Sequence, residues 1–147
     1  MNRPDSPRDA TAMTARAVLR LLLAAAYVAA GAMHFAAPRP FVAITPDWVP
    51  EKGAVVALTG AAEILGALAL AQPWSAALRR AGGVGLALYA ACVFPANINH
   101  LLIDMGSPAP ALGWAYHGPR MLLQPVLIWL ALWTSGAIDW PIGRARR

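Results

Sequence analysis

The stretch from Gly53 to Ala71, GAVVALTGAAEILGALALA, decides the fold class. It is close to the length of about 20 residues that a helix needs to cross the hydrocarbon core of a bilayer, and Glu63 is its only charged residue. The run is continuous and lacks the period-2 alternation of a strand. It therefore predicts a membrane-spanning helix in an all-α protein.

Three further runs of similar character flank this stretch. Hydrophobic residues make up 59% of the 147 residues and charged residues 13%, whereas soluble domains have about 45–50% apolar and about 25% charged residues. The pattern predicts one domain, an integral membrane four-helix bundle within 16–141. It also predicts a disordered cytoplasmic tail at 1–15 and a basic cytoplasmic tail at 142–147. The four predicted spans are about 17–37, 53–71, 81–98 and 121–138, and Pro95 and Pro125 are expected to kink the last two.

The basic residues predict the orientation of the spans. Cytoplasmic loops of membrane proteins are enriched in Lys and Arg, and most of the basic residues here lie on one side of the four spans. That side holds Arg3, Arg8, Arg16, Arg20, Arg79, Arg80, Arg144, Arg146 and Arg147, and the other holds Arg39, Lys52 and Arg120. Both termini are therefore predicted to be cytoplasmic, in a multi-pass protein of the inner (plasma) membrane.

Tryptophans and the N-terminal run bear on the same topology. Trp48 and Trp114 are predicted to mark the outer interface, and Trp74 and Trp140 the inner one, as aromatic belts do. An alternative is that the first run is a cleaved signal peptide. Cleavage would leave an odd number of spans with Arg144, Arg146 and Arg147 still cytoplasmic, and the four-span prediction is preferred.

Composition also argues against several classes of function. The pI of 10.4 is high enough for a nucleic-acid-binding protein, but the charges flank apolar runs rather than forming one basic face, so a lipid bilayer is the expected partner and nucleic acid is not. Cys92 is the only cysteine, which excludes a disulfide or C-x-x-C pair within the chain. No His or acidic pair has a short metal-ligand spacing, so no metal site is predicted.

Polar residues in the four runs predict a ligand-binding pocket. A carboxyl group near the middle of a span costs about 2.5–3.5 kcal/mol on insertion scales, so Glu63 should face the bundle interior and have a partner. The other polar groups lie towards the outer ends of the spans. The candidate ligand-binding residues are His34, Glu63, Asn97, Asn99, His100, Arg120 and Gln124. Taken singly, His34, His100 and Arg120 are better explained as ordinary interfacial residues, and Glu63 has the alternative of a structural hydrogen bond between helices. Taken together, these residues favour a pocket.

Helix rise predicts the depth of these groups. At about 1.5 Å per residue, Glu63 lies about 15 Å below the outer end of its helix and His34 about 5 Å below the end of its own. The two are therefore expected not to touch, and Tyr27 is the predicted neighbour of Glu63. In the outer loop, Thr45-Pro46-Asp47 resembles the N-cap of a short interfacial helix that carries Phe41, Ile44 and Trp48.

Several blocks of the chain resemble the DoxX-like family of small four-helix membrane proteins. The blocks are GAMHFAAPRPFVAITPDWVP, TGAAEILGALAL, CVFPANINH and RMLLQPVLIWLALW, which together cover roughly Gly31 to Trp133. The resemblance implies a four-helix bundle with cytoplasmic ends. It also implies an association with quinone-linked or other redox systems at the membrane, although many members of that family have no assigned activity.

Two functions follow from these observations. In the first, the chain is a redox-associated subunit whose pocket binds a quinone or a similar amphipathic molecule, with electrons supplied by a membrane redox partner protein. In the second, it is a non-catalytic assembly or scaffold factor for a partner protein. A small transporter is a third possibility, but four spans without a repeated ion site argue against it. The sequence assigns neither catalysis nor an oligomeric state.

Overall fold

The computed structural model is all-helical over the part of the chain that it describes, residues 7–140, with side chains from residue 15 onward. No strand occurs among these residues, which confirms the predicted all-α class. Five helices are present rather than four, because a short helix precedes the second long one. Their bounds are α1 Pro7–Ala36, α2 Pro38–Ile44, α3 Lys52–Ala71, α4 Ala76–Met105 and α5 Gly113–Ser135.

Three of the helices contain segments long and apolar enough to cross a membrane, namely Ala15–Ala36, Lys52–Ala71 and Ala76–Met105. The fourth long helix, α5, contains Pro119 and Pro125 and is not among them.

The helices are longer than the predicted spans. In α1 the helix already begins at Pro7, a residue suited to the first helical position, so residues 7–15 of the predicted tail are helical. The remainder of that tail, residues 1–6, and the predicted basic tail at 142–147 lie outside the described residues.

The four long helices pack side by side in a ring, in the order α1, α3, α4, α5, with neighbours antiparallel. One end of the ring holds α2 and the loops 45–51 and 106–112, and is called the α2 end. The opposite end holds the turn 72–75 and is called the Gln72 end. In that turn, the Gln72 amide nitrogen donates to the carbonyl of Ser75 at 2.8 Å, and its oxygen accepts from the Ser75 N–H.

The interfaces between neighbouring long helices are called seams. At three of the four seams, a glycine allows the two helices to approach closely. A Cβ on Gly31 of α1 would lie 2.7 Å from the carbonyl oxygen of Gly60 on α3. On α4, Gly82 faces the Leu70 backbone of α3, and Gly83 faces Ser135 of α5. Small residues let helix backbones approach closely. The fourth seam, between α1 and α5, has no such glycine contact among the described residues and is the smallest of the four interfaces.

The hydrophobic core fills the Gln72 end of the ring. Leu70 and Leu86 are fully buried there, together with Leu23, Ala67 and Ala131. At the same end α1 is tied to the C-terminal segment. The Arg16 guanidinium donates to Asp139 at 3.1 Å and lies 4.7 Å from the ring centre of Trp133. This end is packed and closed, so open space in the bundle lies towards α2.

The short helix is displaced from its predicted position. It was expected to start at Thr45 and to include Trp48, but α2 begins at Pro38 and ends before Thr45, whose hydroxyl donates to the carbonyl of Phe41 at 2.8 Å. Pro38 supplies the preferred first helical residue. The N-cap interpretation of Thr45-Pro46-Asp47 is therefore wrong, although Phe41 and Ile44 do lie on the helix.

Large apolar side chains cover the outside of the ring. Leu22, Leu65, Leu88 and Leu122 come from the four long helices and are each more than half exposed. Exposed apolar surface of this extent is rare in soluble monomers. Tryptophans mark both ends, with Trp48 and Trp114 exposed at the α2 end and Trp74 and Trp140 exposed at the Gln72 end.

Candidate functional site

A cavity of about 520 Å³ lies at the α2 end of the ring. All five helices and the loop after α2 contribute to its lining, which is mostly apolar with a few polar groups. Five of the seven predicted ligand-binding residues line it: His34, Glu63, Asn97, Arg120 and Gln124. The remaining lining residues are Tyr27, Ala30, Phe41, Ile44, Thr45, Pro46, Trp48, Val49, Val55, Val56, Thr59, Tyr89, Ala90, Cys92, Val93, Pro95, Ala96, Leu123 and Leu127.

A carboxyl–imidazole pair forms one polar wall of the cavity. Glu63 Oε2 lies 3.5 Å from His34 Nε2, and both side chains are buried. The other ring nitrogen, Nδ1, lies 3.0 Å from the carbonyl oxygen of Val56. Because a carbonyl oxygen can only accept, Nδ1 is the donor in this contact, and Nε2 faces the Glu63 carboxyl group. The 3.5 Å approach is longer than a good hydrogen bond, and Glu63 Oε2 has no hydrogen-bond partner within the described part of the chain.

The contact between His34 and Glu63 corrects the depth prediction. A Cβ on Gly60 would lie 2.6 Å from the Cβ of His34, so these two positions are level. The end of α1 at Ala36 then lies beside residue 58, and the residues from Lys52 to Ala57 extend beyond it by about 9 Å. The prediction assumed that the two helices end at the same height, and their offset brings the imidazole down to the carboxyl group.

A second polar wall joins α4 and α5. Arg120 Nη2 donates to Asn97 Oδ1 at 2.7 Å, and Nε donates to the same oxygen at 3.1 Å. The Asn97 amide donates to Gln124 Oε1 at 3.0 Å, and Gln124 Nε2 donates to the backbone carbonyl of Ala90. Among the side chains of residues 15–140, no carboxylate forms an ion pair with Arg120. This wall therefore has a net positive charge.

Two tyrosines complete the site. The sequence predicted one of them, Tyr27, but not the other, Tyr89. Tyr27 was predicted next to Glu63, and both line the cavity. Within the described part of the chain, the buried Tyr27 hydroxyl has no hydrogen-bond partner. Tyr89, which was not predicted, lies beside the Glu63 carboxyl and packs edge-on against Tyr27, with ring centres 6.1 Å apart. Its position in a continuous apolar run gave no signal of this role.

The other two predicted residues lie outside the cavity lining. Asn99 donates to the carbonyl of Ile44 at 2.9 Å and so holds the end of α2 against α4. Arg120 Nη1 donates to Nδ1 of His100 at 3.3 Å and to the Tyr116 hydroxyl at 2.5 Å. Asn99 thus positions α2, which lines the cavity, and His100 contacts Arg120 from outside the cavity lining.

A further cluster at the α2 end was not predicted. The Asp104 carboxylate accepts from the backbone N–H groups of Ala111 at 3.0 Å and Gly113 at 2.8 Å, and lies 3.3 Å from Nε2 of the fully buried His117. An anion at the start of a helix satisfies N–H groups that lack intrahelical partners. Asp104 therefore caps α5 from the end of α4 and fixes the loop between them.

The Asp104 cap gives a testable prediction of stability. Replacing Asp104 with Ala leaves the N–H groups of Ala111 and Gly113 without their acceptor, so we expect a loss of about 1–2 kcal/mol in the free energy of unfolding. Thermal unfolding in detergent measures this loss. Asp47→Ala is the matched control, because the Asp47 carboxylate contacts only the Lys52 side chain at the surface. An unchanged midpoint for Asp104→Ala would show that the cap contributes nothing.

The histidines do not meet at one metal site. His34 pairs with Glu63, whereas His100 and His117 lie with their ring centres 4.9 Å apart near Asp104. No group of three or more His, Cys, Asp or Glu side chains suited to a metal ion occurs within the described residues.

Comparison with known families matches residues 23–135 to a family described as a domain of unknown function, DUF8561. This segment includes all seven predicted ligand-binding residues and most of the chain. The chain belongs to this family. No curated protein and no solved structure matches it.

The DUF8561 segment coincides with the part of the fold that forms the cavity. It starts at Leu23 in the core of α1 and ends at Ser135, the last residue of α5. The description of DUF8561 assigns no activity, so the chemistry of the site has to be inferred from the cavity itself. That cavity combines a mostly apolar lining, an imidazole–carboxyl pair on one wall and, on another, an arginine with no carboxylate partner among the described side chains.

Proposed function

We propose that the chain is a multi-pass protein of the inner (plasma) membrane, in which α1, α3, α4 and α5 cross the bilayer and both termini are cytoplasmic. Three apolar helices, the exposed leucines on all four long helices and the tryptophans at both ends support this topology. The two prolines of α5 are tolerated in a span where neighbouring groups satisfy the freed carbonyls.

The cavity is proposed to bind a quinone or a similar amphipathic small molecule. The observation on which this rests is the pairing of a mostly apolar cavity with two polar walls, His34–Glu63 on one side and Arg120–Asn97–Gln124 on the other. Ligand sites are typically apolar with a few polar groups that fix orientation. The unpartnered Tyr27 hydroxyl adds a donor for a ligand carbonyl.

The same groups suit the chemistry of a quinone. Reduction to the quinol takes up two electrons and two protons, and negative charge develops on the ring oxygens as the electrons arrive. Arg120, with no carboxylate partner among the described side chains, would stabilise that charge, and Glu63 with His34 would relay the two protons one after the other from water to the ring oxygens. The electrons would come from a membrane redox partner protein. The DoxX-like resemblance of the sequence supports this redox role.

Mass spectrometry of the protein purified in mild detergent tests the proposal. We expect the wild type to retain a quinone that the double variant His34→Leu/Glu63→Leu loses. The double variant removes both members of the pair, so neither His34 nor Glu63 is left buried without the other. Thr134→Val is the control, since Thr134 is buried in α5 and bonds only to the carbonyl of Leu130. Bulk lipid alone in the wild type would contradict quinone binding.

Glu63→Gln separates this function from the alternative, an assembly factor for a partner protein. Glutamine keeps the size and hydrogen bonding of the side chain but cannot donate a proton. Loss of quinone reduction in membranes with normal abundance of partner proteins supports the redox role. Loss of a partner's abundance supports assembly instead.

A further inference from the structure

The seam between α1 and α5 differs from the other three in the ring. Glycine contacts draw α1 to α3, α3 to α4 and α4 to α5, but none joins α1 to α5 among the described residues. The link between α1 and the chain after α5 lies at the Gln72 end, where Arg16 binds Asp139 and covers Trp133. Towards the α2 end, nothing comparable holds the two helices together.

Two residues place one opening of the cavity on this seam, and the exposed lining residues Trp48, Cys92 and Pro95 mark the cavity's other exposed side. Ala30 of α1 and Leu123 of α5 both line the cavity, yet Ala30 is exposed and Leu123 is 53% exposed. A residue that lines an internal cavity and is also exposed lies at an opening of that cavity. Since Arg16 pairs with Asp139 and the helices are antiparallel, residues near 30 lie at about the same height as residues near 123. The two residues therefore lie at similar heights on the two helices that form this seam.

The surface outside the seam is apolar. Leu122 beside it is 73% exposed, and Val126 one turn further along α5 is also exposed. In the proposed topology this surface faces lipid hydrocarbon. Tyr27 and Glu63 both line the cavity behind this surface.

We propose that the α1–α5 seam is a lateral portal, through which the ligand enters from the bilayer and in which its apolar tail remains when the polar head group is bound. This inference rests on the proposed function and adds the class of ligand, a membrane-dissolved molecule with a long hydrocarbon tail. The head group reaches the two polar walls, and the tail passes between Ala30 and Leu123.

Two matched pairs of variants test the portal. Leu123→Trp and Ala30→Trp place a bulky ring at the seam, whereas Leu122→Trp and Ala29→Trp place the same ring on neighbouring exposed positions that do not line the cavity. The probes are a decyl-tailed benzoquinone and the same benzoquinone without the tail, and their binding is measured in detergent. We expect the two portal variants to weaken binding of the tailed probe at least about tenfold more than they weaken binding of the tail-less probe, a difference of about 1.4 kcal/mol. The two control variants should bind both probes normally.

The possible results are distinct. If the portal variants bind the tailed probe as well as wild type, the portal is overturned and the quinone site stands. If only Cys92→Trp blocks the tailed probe, the ligand enters beneath Trp48, where Cys92 lines the cavity and is exposed, and the α1–α5 portal is wrong. If the wild type binds neither probe, both the portal and the proposed function are overturned.

Discussion

Replacing His34 with Leu should destabilise the protein by about 3 kcal/mol or more, because the Glu63 carboxyl is left buried without its imidazole partner. Removing one member of a buried pair costs more than removing both, since two apolar side chains of similar volume need no partner. The double variant His34→Leu/Glu63→Leu should therefore recover most of the loss. Unfolding in detergent, followed by tryptophan fluorescence, measures both effects.

His34→Gln is the informative control for this pair. The glutamine amide is able to hydrogen-bond both to the Val56 carbonyl and to Glu63, so we expect a smaller loss than with leucine. A double variant whose loss equals the sum of the two single losses would show that His34 and Glu63 are not energetically coupled. That result would leave their 3.5 Å approach without a role in stability.

Replacing Gly83 with Ala should have the second large effect. The added Cβ would overlap the Ser135 side chain and lie 2.5 Å from the carbonyl oxygen of Ala131, which is backbone and cannot rotate away. Overpacking of this kind costs about 1–3 kcal/mol. We expect a lower unfolding midpoint and a looser α4–α5 seam, and Ser135→Gly in the same chain should restore part of the loss.

Gly85→Ala is the matched control for this substitution. Gly85 lies two residues further along the same helix, and a Cβ there would meet nothing within 4 Å. Since glycine in a helix is less favourable than alanine by about 0.5–1 kcal/mol, this variant should be neutral or slightly more stable. Equal effects of the two substitutions would contradict the close contact at Gly83.

The sequence predicted well which polar residues lie inside the bundle. It predicted the relative heights of the packed helices less well. Length and hydropathy are local properties, so the helical class and the runs around Glu63 follow from them directly. A carboxyl group within an apolar run predicts an interior position wherever its neighbours lie. The polar wall of Asn97, Arg120 and Gln124 could be predicted for the same reason.

The relative heights of the helices could not be predicted from local properties of the sequence. The contact of His34 with Glu63 depends on the offset between α1 and α3, which the loop through α2 and the approach of Gly31 to Gly60 determine. The Asp104 cap on α5 depends on how the loop 106–112 folds back. Both are tertiary contacts between segments, and neither has a local pattern in the sequence.

In the proposed membrane topology, the order of His34 and Glu63 along the chain affects how the helices are inserted. His34 lies on α1 and Glu63 on α3, so a ribosome delivers the imidazole to the translocon before the carboxyl group emerges. A carboxylate inserted alone meets a penalty of about 2.5–3.5 kcal/mol at the centre of a span. In the proposed topology, α1 is then already in the lipid when α3 enters, so the Glu63 carboxyl group meets an imidazole delivered by an earlier helix.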